Sequence, residues 1–237
     1  MFREIALGLT VLLAPPAAAA APALEEVLAP LLAPGDLVFK GADSGPATQL
    51  AASWSDGDRR WGHVGIVLAV AKPGACPAEK QSTGAVQKQC NSETIVVHAD
   101  TGPGPGEETL PPGAVIGAVR AVPLSRFLGQ ADHAGLFRLQ IGPEARAAML
   151  DWAAEAARVH TPFDRGYSLA SENSLYCTEL VWRALSAGLG EDAVPQKSQR
   201  LGRVYIALSD LSQHPLAKEI ADMNLSPAEA GNGKGIY

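Results

Sequence analysis

The chain has 237 residues and a formal net charge of −6, from 19 Lys and Arg against 25 Asp and Glu. This length can bury one substantial core, and the composition indicates neither disorder nor a fibrous repeat. The acidic balance, without a basic cluster interleaved with aromatic residues, argues against a nucleic-acid partner.

The N-terminus has the outline of a secretory signal peptide. An apolar run over residues 5–13 follows Met-Phe-Arg, and Pro15, Pro16 and an alanine tract come after it, ending Ala-Pro-Ala at 21–23. A membrane anchor needs about 20 consecutive apolar residues, and this run is much shorter. We therefore predict a signal peptide over 1–23 and an exported protein, periplasmic or secreted, with no stable membrane span after cleavage.

Strand patterns dominate the first half of the mature chain. The continuous β-branched run over 63–70 is typical of a buried strand, and the run over 94–98 is its predicted partner. Further strands are predicted at 37–39, 115–122 and 135–141, and short helices at 24–32 and 46–54.

Helical periodicity takes over at Pro143, where apolar residues recur on one face as far as Val159. A second helix is predicted to begin near Cys177 and to stop at Gly188, while the pattern over 204–223 is mixed. These elements predict one α+β domain over 24–225, followed by a flexible tail at 226–237.

The three cysteines divide into a pair and a single residue. Cys76 and Cys90 lie in one polar segment, and an oxidising compartment favours a disulfide between them, which would stabilise the fold by roughly 3 kcal/mol. Cys177 is then unpaired, and it is either a buried inert thiol or a reactive one. The cysteine and histidine spacings give no support for a zinc site.

The position of Cys177 in the first turn of a helix favours the reactive thiol. The helix macrodipole and the free backbone amides of that turn stabilise a thiolate, and the same amides can donate to an oxyanion. Glu179, two residues later, is interpreted as a charge favourable at a helix start and not as a catalytic group.

A thiol nucleophile needs an imidazole that takes and returns its proton. His63 begins the apolar run over 63–70 and His98 ends its predicted partner strand, so the two imidazoles would converge if the strands are adjacent. Each histidine taken alone is equally compatible with a structural role. The remaining histidines are interpreted as surface residues: His133, His160 and His214.

Five segments, in this chain order, resemble one known family. They are Gly-Asp-Leu-Val-Phe at 35–39, Trp-Gly-His-Val-Gly-Ile-Val at 61–67, Val-Val-His-Ala at 96–99, Phe-Asp at 163–164 and Leu-Tyr-Cys-Thr-Glu-Leu-Val at 175–181. Over roughly residues 34–215 the chain is similar to the YiiX/YebB-like group, the circularly permuted papain-like cysteine hydrolases of the NlpC superfamily. The resemblance implies a permuted papain-like (NlpC-type) α+β fold, in which an antiparallel sheet packs against helices that include the nucleophile helix.

The resemblance also implies roles for individual residues. Cys177 would be the nucleophile and His63 its general base. A polar residue at the end of the second strand would orient the imidazole; this residue is often glutamate in the YiiX-like group, and here it is His98, with Asp100 as the alternative. The implied chemistry is acyl transfer through an acyl-enzyme, which needs no cofactor and no metal.

Three functions are compatible with these residues. The first is a thiol hydrolase that cleaves an amide, such as one in a cell-wall peptide. The second is an acyltransferase or amidase directed at lipids, and the third is a non-catalytic binding module. The expected substrate is a peptide, an amide or an acyl chain, and the oligomeric state is not indicated by the sequence.

Overall fold

The computed structural model describes residues 27–71, 93–102, 117–129, 131 and 133–224. The predicted signal peptide, the predicted disulfide between Cys76 and Cys90 and the predicted tail at 226–237 lie outside these residues. The boundaries of the single predicted domain, 24–225, stay a prediction.

A six-stranded antiparallel sheet forms the centre of the protein. Within the described ranges, its strands occur in the order β4-β3-β2-β1-β5-β8, and β6 and β7 form a separate hairpin. The strands are β1 (Leu37–Gly41), β2 (Trp61–Ala69), β3 (Ile95–Asp100), β4 (Ala118–Pro123), β5 (His133–Leu139), β6 (Ser198–Arg200), β7 (Arg203–Tyr205) and β8 (Ala217–Asn224).

Five described α-helices accompany the sheet. They are α1 (Pro46–Ser53), α2 (Leu124–Leu128), α3 (Pro143–Arg158), α4 (Cys177–Leu189) and α5 (Leu208–Ser212), and a 3₁₀ turn at Ala29–Leu31 precedes β1. The α+β prediction is confirmed, because helices pack against an antiparallel sheet. None of the helices in the described part of the chain is both long enough and apolar enough to cross a membrane.

The two faces of the sheet bury different side chains because successive strand residues point to opposite sides. Phe39 and Ile66 belong to the cluster that also holds the apolar residues of α3 and α4. Val38 and Val67 belong to the cluster on the other face, together with Phe127 of α2. The sheet is thus covered on both faces, as a buried central sheet requires.

The helix that begins at Cys177 runs past its predicted stop. Gly188 lies inside α4, where a Cβ atom would overlap the carbonyl oxygen of Ala145 on α3, so the two helices approach each other closely at this glycine. The helix ends instead at Gly190, which has φ 74° and donates its backbone N–H to the carbonyl oxygen of Ser186. The prediction of Gly188 as the stop was wrong because a helix-packing glycine and a capping glycine look alike in a sequence.

The segment with a mixed sequence pattern near the C-terminus contains an edge strand, β8. β8 pairs along its length with β5 and completes one edge of the sheet. Its side chains are half-buried or exposed on both faces, so it lacks the alternation of apolar and polar residues by which a strand is predicted.

Candidate active site

The thiol of Cys177 lies at the start of α4, against β2. Tyr176 precedes it in an extended conformation, with φ −99° and ψ 170°, so the helix begins at the cysteine itself. Cys177 is buried and unpaired, and the backbone amides of Val64, Thr178 and Cys177 are near enough to its sulfur to act to lower its pKa. Because Val64 directly follows His63, the sulfur lies beside the strand segment that carries this histidine.

His63 and His98 form a hydrogen-bonded pair. Nε2 of His63 lies 3.0 Å from Nδ1 of His98, across the neighbouring strands β2 and β3. Both rings pack against Phe127: His63 is stacked on it with a centroid distance of 5.6 Å, and His98 meets it edge-on at 5.2 Å. The predicted convergence of the two histidines is therefore seen in the structure.

The bond to His98 engages Nε2 of His63 and leaves Nδ1 as the nitrogen that can act on a thiol. Among the described residues, no direct hydrogen bond joins the sulfur of Cys177 to either imidazole. The described link between the two parts of the site is electrostatic: the amide of Val64, the residue after His63, acts to lower the pKa of Cys177.

Asp100, the alternative orienting residue, lies two residues beyond His98 on β3. Its Oδ1 accepts a hydrogen bond of 3.1 Å from the backbone N–H of Gly102, and its carboxylate makes no hydrogen bond to His63 within the described part of the chain. Burial lowers the pKa of both imidazoles, and the charge of Asp100 opposes this shift by favouring their protonated forms. His98 is thus the hydrogen-bonding partner of His63, and Asp100 is an electrostatic neighbour.

Lys40 is a charged neighbour that the sequence reasoning missed. It lies on β1 directly opposite His63 on β2, and its Nζ is 5.7 Å from the centroid of Phe127. Burial lowers the pKa of this lysine, while the charge of Asp100 acts in the opposite direction. A lysine that follows the apolar run Leu-Val-Phe of a buried strand was the signal available in the sequence.

The protonation states differ from those expected of a helix-start cysteine. Burial raises the pKa of Cys177 to about 11, although the amides of Val64, Thr178 and Cys177 act to lower it. Burial, the charge of His98 and that of Lys40 lower the pKa of His63 to about 3. Both shifts favour a neutral thiol and a neutral imidazole in the resting site, because desolvation of the sulfur outweighs the helix-start amides.

Glu179 is a buried carboxyl group two residues after Cys177, in the first turn of α4. Its Oε1 accepts a hydrogen bond of 2.9 Å from Nε of Arg183, and its Oε2 is buried with no hydrogen-bond partner among the described residues. Burial raises the pKa of Glu179 to about 7, while Arg183 and the helix-start amide of Tyr176 act to lower it. The predicted helix-start effect is present, but burial prevails over it.

Two side chains beside the nucleophile attach the start of α4 to the segment that follows β7. The hydroxyl of Tyr176 accepts a hydrogen bond of 2.9 Å from the backbone N–H of Ile206. The hydroxyl of Thr178 donates one of 2.6 Å to the carbonyl oxygen of the same residue. Ile206 therefore holds both neighbours of Cys177.

The other histidines lie apart from this pair. His160 is exposed, as predicted. His133 and His214 are half-buried instead, because His133 bonds the carboxylate of Asp222 at 2.7 Å and His214 bonds the carbonyl oxygen of Ala193 at 2.7 Å. In the described ranges, no three His, Cys, Asp or Glu side chains are grouped so as to hold a metal ion, so these residues do not match a metal centre.

Comparison with known proteins identifies a matching family and a similar solved structure. Residues 31–206 match the model of a family described as permuted papain-like amidase enzyme, YaeF/YiiX, C92 family. Among solved structures, the chain is similar to one described as metalloprotein YiiX from Escherichia coli O157:H7, with a TM-score of 0.51 and 14% identity over 79% of this chain and 96% of that chain. No curated protein matches the chain.

The family match covers most of the chain, and the solved structure shares the fold. The predicted resemblance to the YiiX group, the permuted papain-like fold and the assignment as a cysteine hydrolase are confirmed. The chain belongs to the YaeF/YiiX family of permuted papain-like amidases, C92.

Proposed function

We propose that the protein is an exported thiol hydrolase that cleaves an amide bond through an acyl-enzyme on Cys177. The observation that carries the proposal is the hydrogen bond between His63 of β2 and His98 of β3. The backbone amide of Val64, the residue after His63, acts to lower the pKa of Cys177. The description of the family as amidases indicates that the cleaved bond is an amide. Export, with a cell-wall peptide as a substrate within reach, rests on the N-terminal sequence.

The proposed reaction starts from the neutral pair. As the sulfur attacks the amide carbonyl, Nδ1 of His63 takes the thiol proton, so that charge develops only along the reaction. His98 accepts the hydrogen bond from Nε2–H of His63, which keeps Nδ1 free to act as the base. The negative charge of Asp100 favours the imidazolium that forms.

The following steps use the helix start. The backbone N–H of Cys177 is positioned to donate to the oxyanion of the tetrahedral intermediate. When the carbon–nitrogen bond breaks, His63 returns the proton to the leaving amine, and the acyl group stays on sulfur. Water then attacks the thioester with His63 again as base, which releases the acid and restores the thiol.

The test measures hydrolysis of peptide and simple amides by the mature protein and by single variants. Cys177→Ala and His63→Ala are expected to lower kcat by at least about a thousandfold, and His98→Ala by about ten- to a hundredfold. His160→Ala, an exposed histidine, is the matched control and keeps full activity. Amide hydrolysis that survives in Cys177→Ala would overturn the proposal.

A further inference from the structure

The tip of the β6–β7 hairpin carries a leucine in a conformation that leucine rarely adopts. Leu201 has φ 51° and Gly202 has φ 75°, and they form a two-residue turn between the paired residues Arg200 and Arg203. Turns with two positive φ values favour Asn-Gly, because a larger side chain is strained there. The side chain of Leu201 is 90% exposed, so packing within the described part of the chain does not compensate for this strain.

The residues around this leucine are also exposed, and they combine positive charge with apolar surface. Arg200 and Arg203 flank the turn, and Val204 is 45% exposed. Leu50 of α1 is 61% exposed on the neighbouring element. The hairpin surface consists of five residues: Leu50, Arg200, Leu201, Arg203 and Val204.

The hairpin and α1 form one continuous surface. Nη1 of Arg200 donates a hydrogen bond of 2.9 Å to the carbonyl oxygen of Ser53, and its guanidinium lies 5.3 Å from the ring centroid of Trp54. Leu50 lies one helical turn before Ser53, on the same side of α1. Asp56 and Asp210 are nearby acidic residues, both within electrostatic range of Tyr205 at the base of the hairpin, and Asp210 accepts hydrogen bonds from Ser198 of β6.

The elements that carry the hairpin surface also support the candidate active site. Thr48 of α1 packs closely against Gly62, the residue before His63. Ile206, three residues after Arg203, holds both neighbours of Cys177. A binding partner that docks on the hairpin surface would therefore lie near the start of α4, where the candidate active site is.

We propose that the hairpin surface docks on an anionic lipid bilayer, with Leu201 entering the acyl region and Arg200 and Arg203 binding headgroup phosphates. Charge complementarity identifies the occupant: the chain is acidic overall, at −6, yet two arginines flank Leu201, the most exposed of the leucines that the structure describes. Burial of an apolar side chain at the bilayer interface and attraction of basic side chains to anionic headgroups both contribute to surface binding of a protein that does not cross the membrane. The docking does not depend on the proposed hydrolysis, and it would bring the thiol to substrates at a bilayer surface.

The test is cosedimentation of the mature protein with vesicles made of equal parts phosphatidylglycerol and phosphatidylcholine. Wild-type protein is expected to bind these vesicles, to bind pure phosphatidylcholine weakly, and to dissociate as salt rises. Leu201→Asn is expected to lower the affinity about tenfold, because it removes the inserted side chain while it suits the turn. Arg203→Gln is expected to lower the affinity and reduce its salt dependence.

Two control variants separate docking by the hairpin surface from the effect of any surface substitution and from the proposed hydrolysis. Val159→Asn changes a residue that is 52% exposed at the end of α3, and it should bind like wild type. Cys177→Ala should also bind like wild type, so that a failure of the proposed hydrolysis leaves this test intact. Absence of wild-type binding, equal binding to neutral vesicles, or full binding by a Leu201→Asn variant with native circular dichroism would each overturn the proposal.

Discussion

Glu179 is expected to make the stability of the protein fall as pH rises above the acidic range. Its side chain has no exposed area, and burial raises its pKa to about 7 from the ordinary value of 4.5. Between these two pH values the folded protein keeps a proton on Glu179 that the unfolded chain has lost. The free energy of unfolding therefore decreases as pH rises through this window.

The size of this effect follows from the two pKa values. The interval between 4.5 and about 7 corresponds to roughly 3 kcal/mol, at about 1.4 kcal/mol for each pKa unit. The stabilisation is complete below pH 4.5 and is lost above pH 7. Glu179→Gln preserves the shape and the acceptor for Arg183 but cannot ionise, so the variant should lack this loss and gain roughly 3 kcal/mol relative to wild type between pH 4 and 8.

The measurement is urea unfolding of both proteins, followed by circular dichroism at intervals from pH 4 to 8. The useful quantity is the difference between variant and wild type at each pH, because the lowered pKa values of His63 and His98 produce an opposite trend in both proteins. Glu191→Gln, at an exposed glutamate beyond the same helix, is the matched control. A difference between Glu179→Gln and wild type that stays constant with pH would refute this account of the buried carboxyl.

Three further changes test other parts of the structure. Lys40→Met removes a positive charge that lowers the pKa of both imidazoles, so the acidic limb of the kcat/KM profile should move to higher pH; an unmoved limb would contradict this role. Gly188→Ala should destabilise the fold by about 1 to 3 kcal/mol in urea, despite the better helix propensity of alanine, because its Cβ overlaps the backbone of α3. Asp36→Ala should cost about 2 to 3 kcal/mol in the same assay, since it removes the buried acceptor of two hydrogen bonds from Arg138, at 2.9 and 2.8 Å; a loss under half of this would show that water replaces the carboxylate.

Several features of the site could be predicted because they have strong local signals. The continuous apolar run after His63 identified β2, and the position of His98 at the end of the next run placed the two imidazoles together. The helical spacing that starts at Cys177 located the thiol at the first residue of α4. Each of these inferences needs only the period of a strand or a helix and the adjacency of sequential strands.

Other features depend on contacts between distant segments, and the sequence does not display them. The protonation of Cys177 follows from its burial under the sheet, which outweighs the local helix-start effect. The partnership of Asp36 with Arg138 joins residues about a hundred positions apart. β8 escaped prediction because an edge strand with both faces half-exposed carries no apolar alternation.

The site joins two distant parts of the chain, because Val64, the residue after His63, lies near the sulfur of Cys177. This separation determines the stage of folding at which the active site is complete. His63 and Cys177 are 114 residues apart in the chain, so the histidine pair can assemble before the nucleophile helix packs against it. Contacts of such long range form late in folding, because chain closure must precede them. Completion of the site thus coincides with completion of the domain, and a nascent or partly folded copy would be inert towards the amide bonds around it.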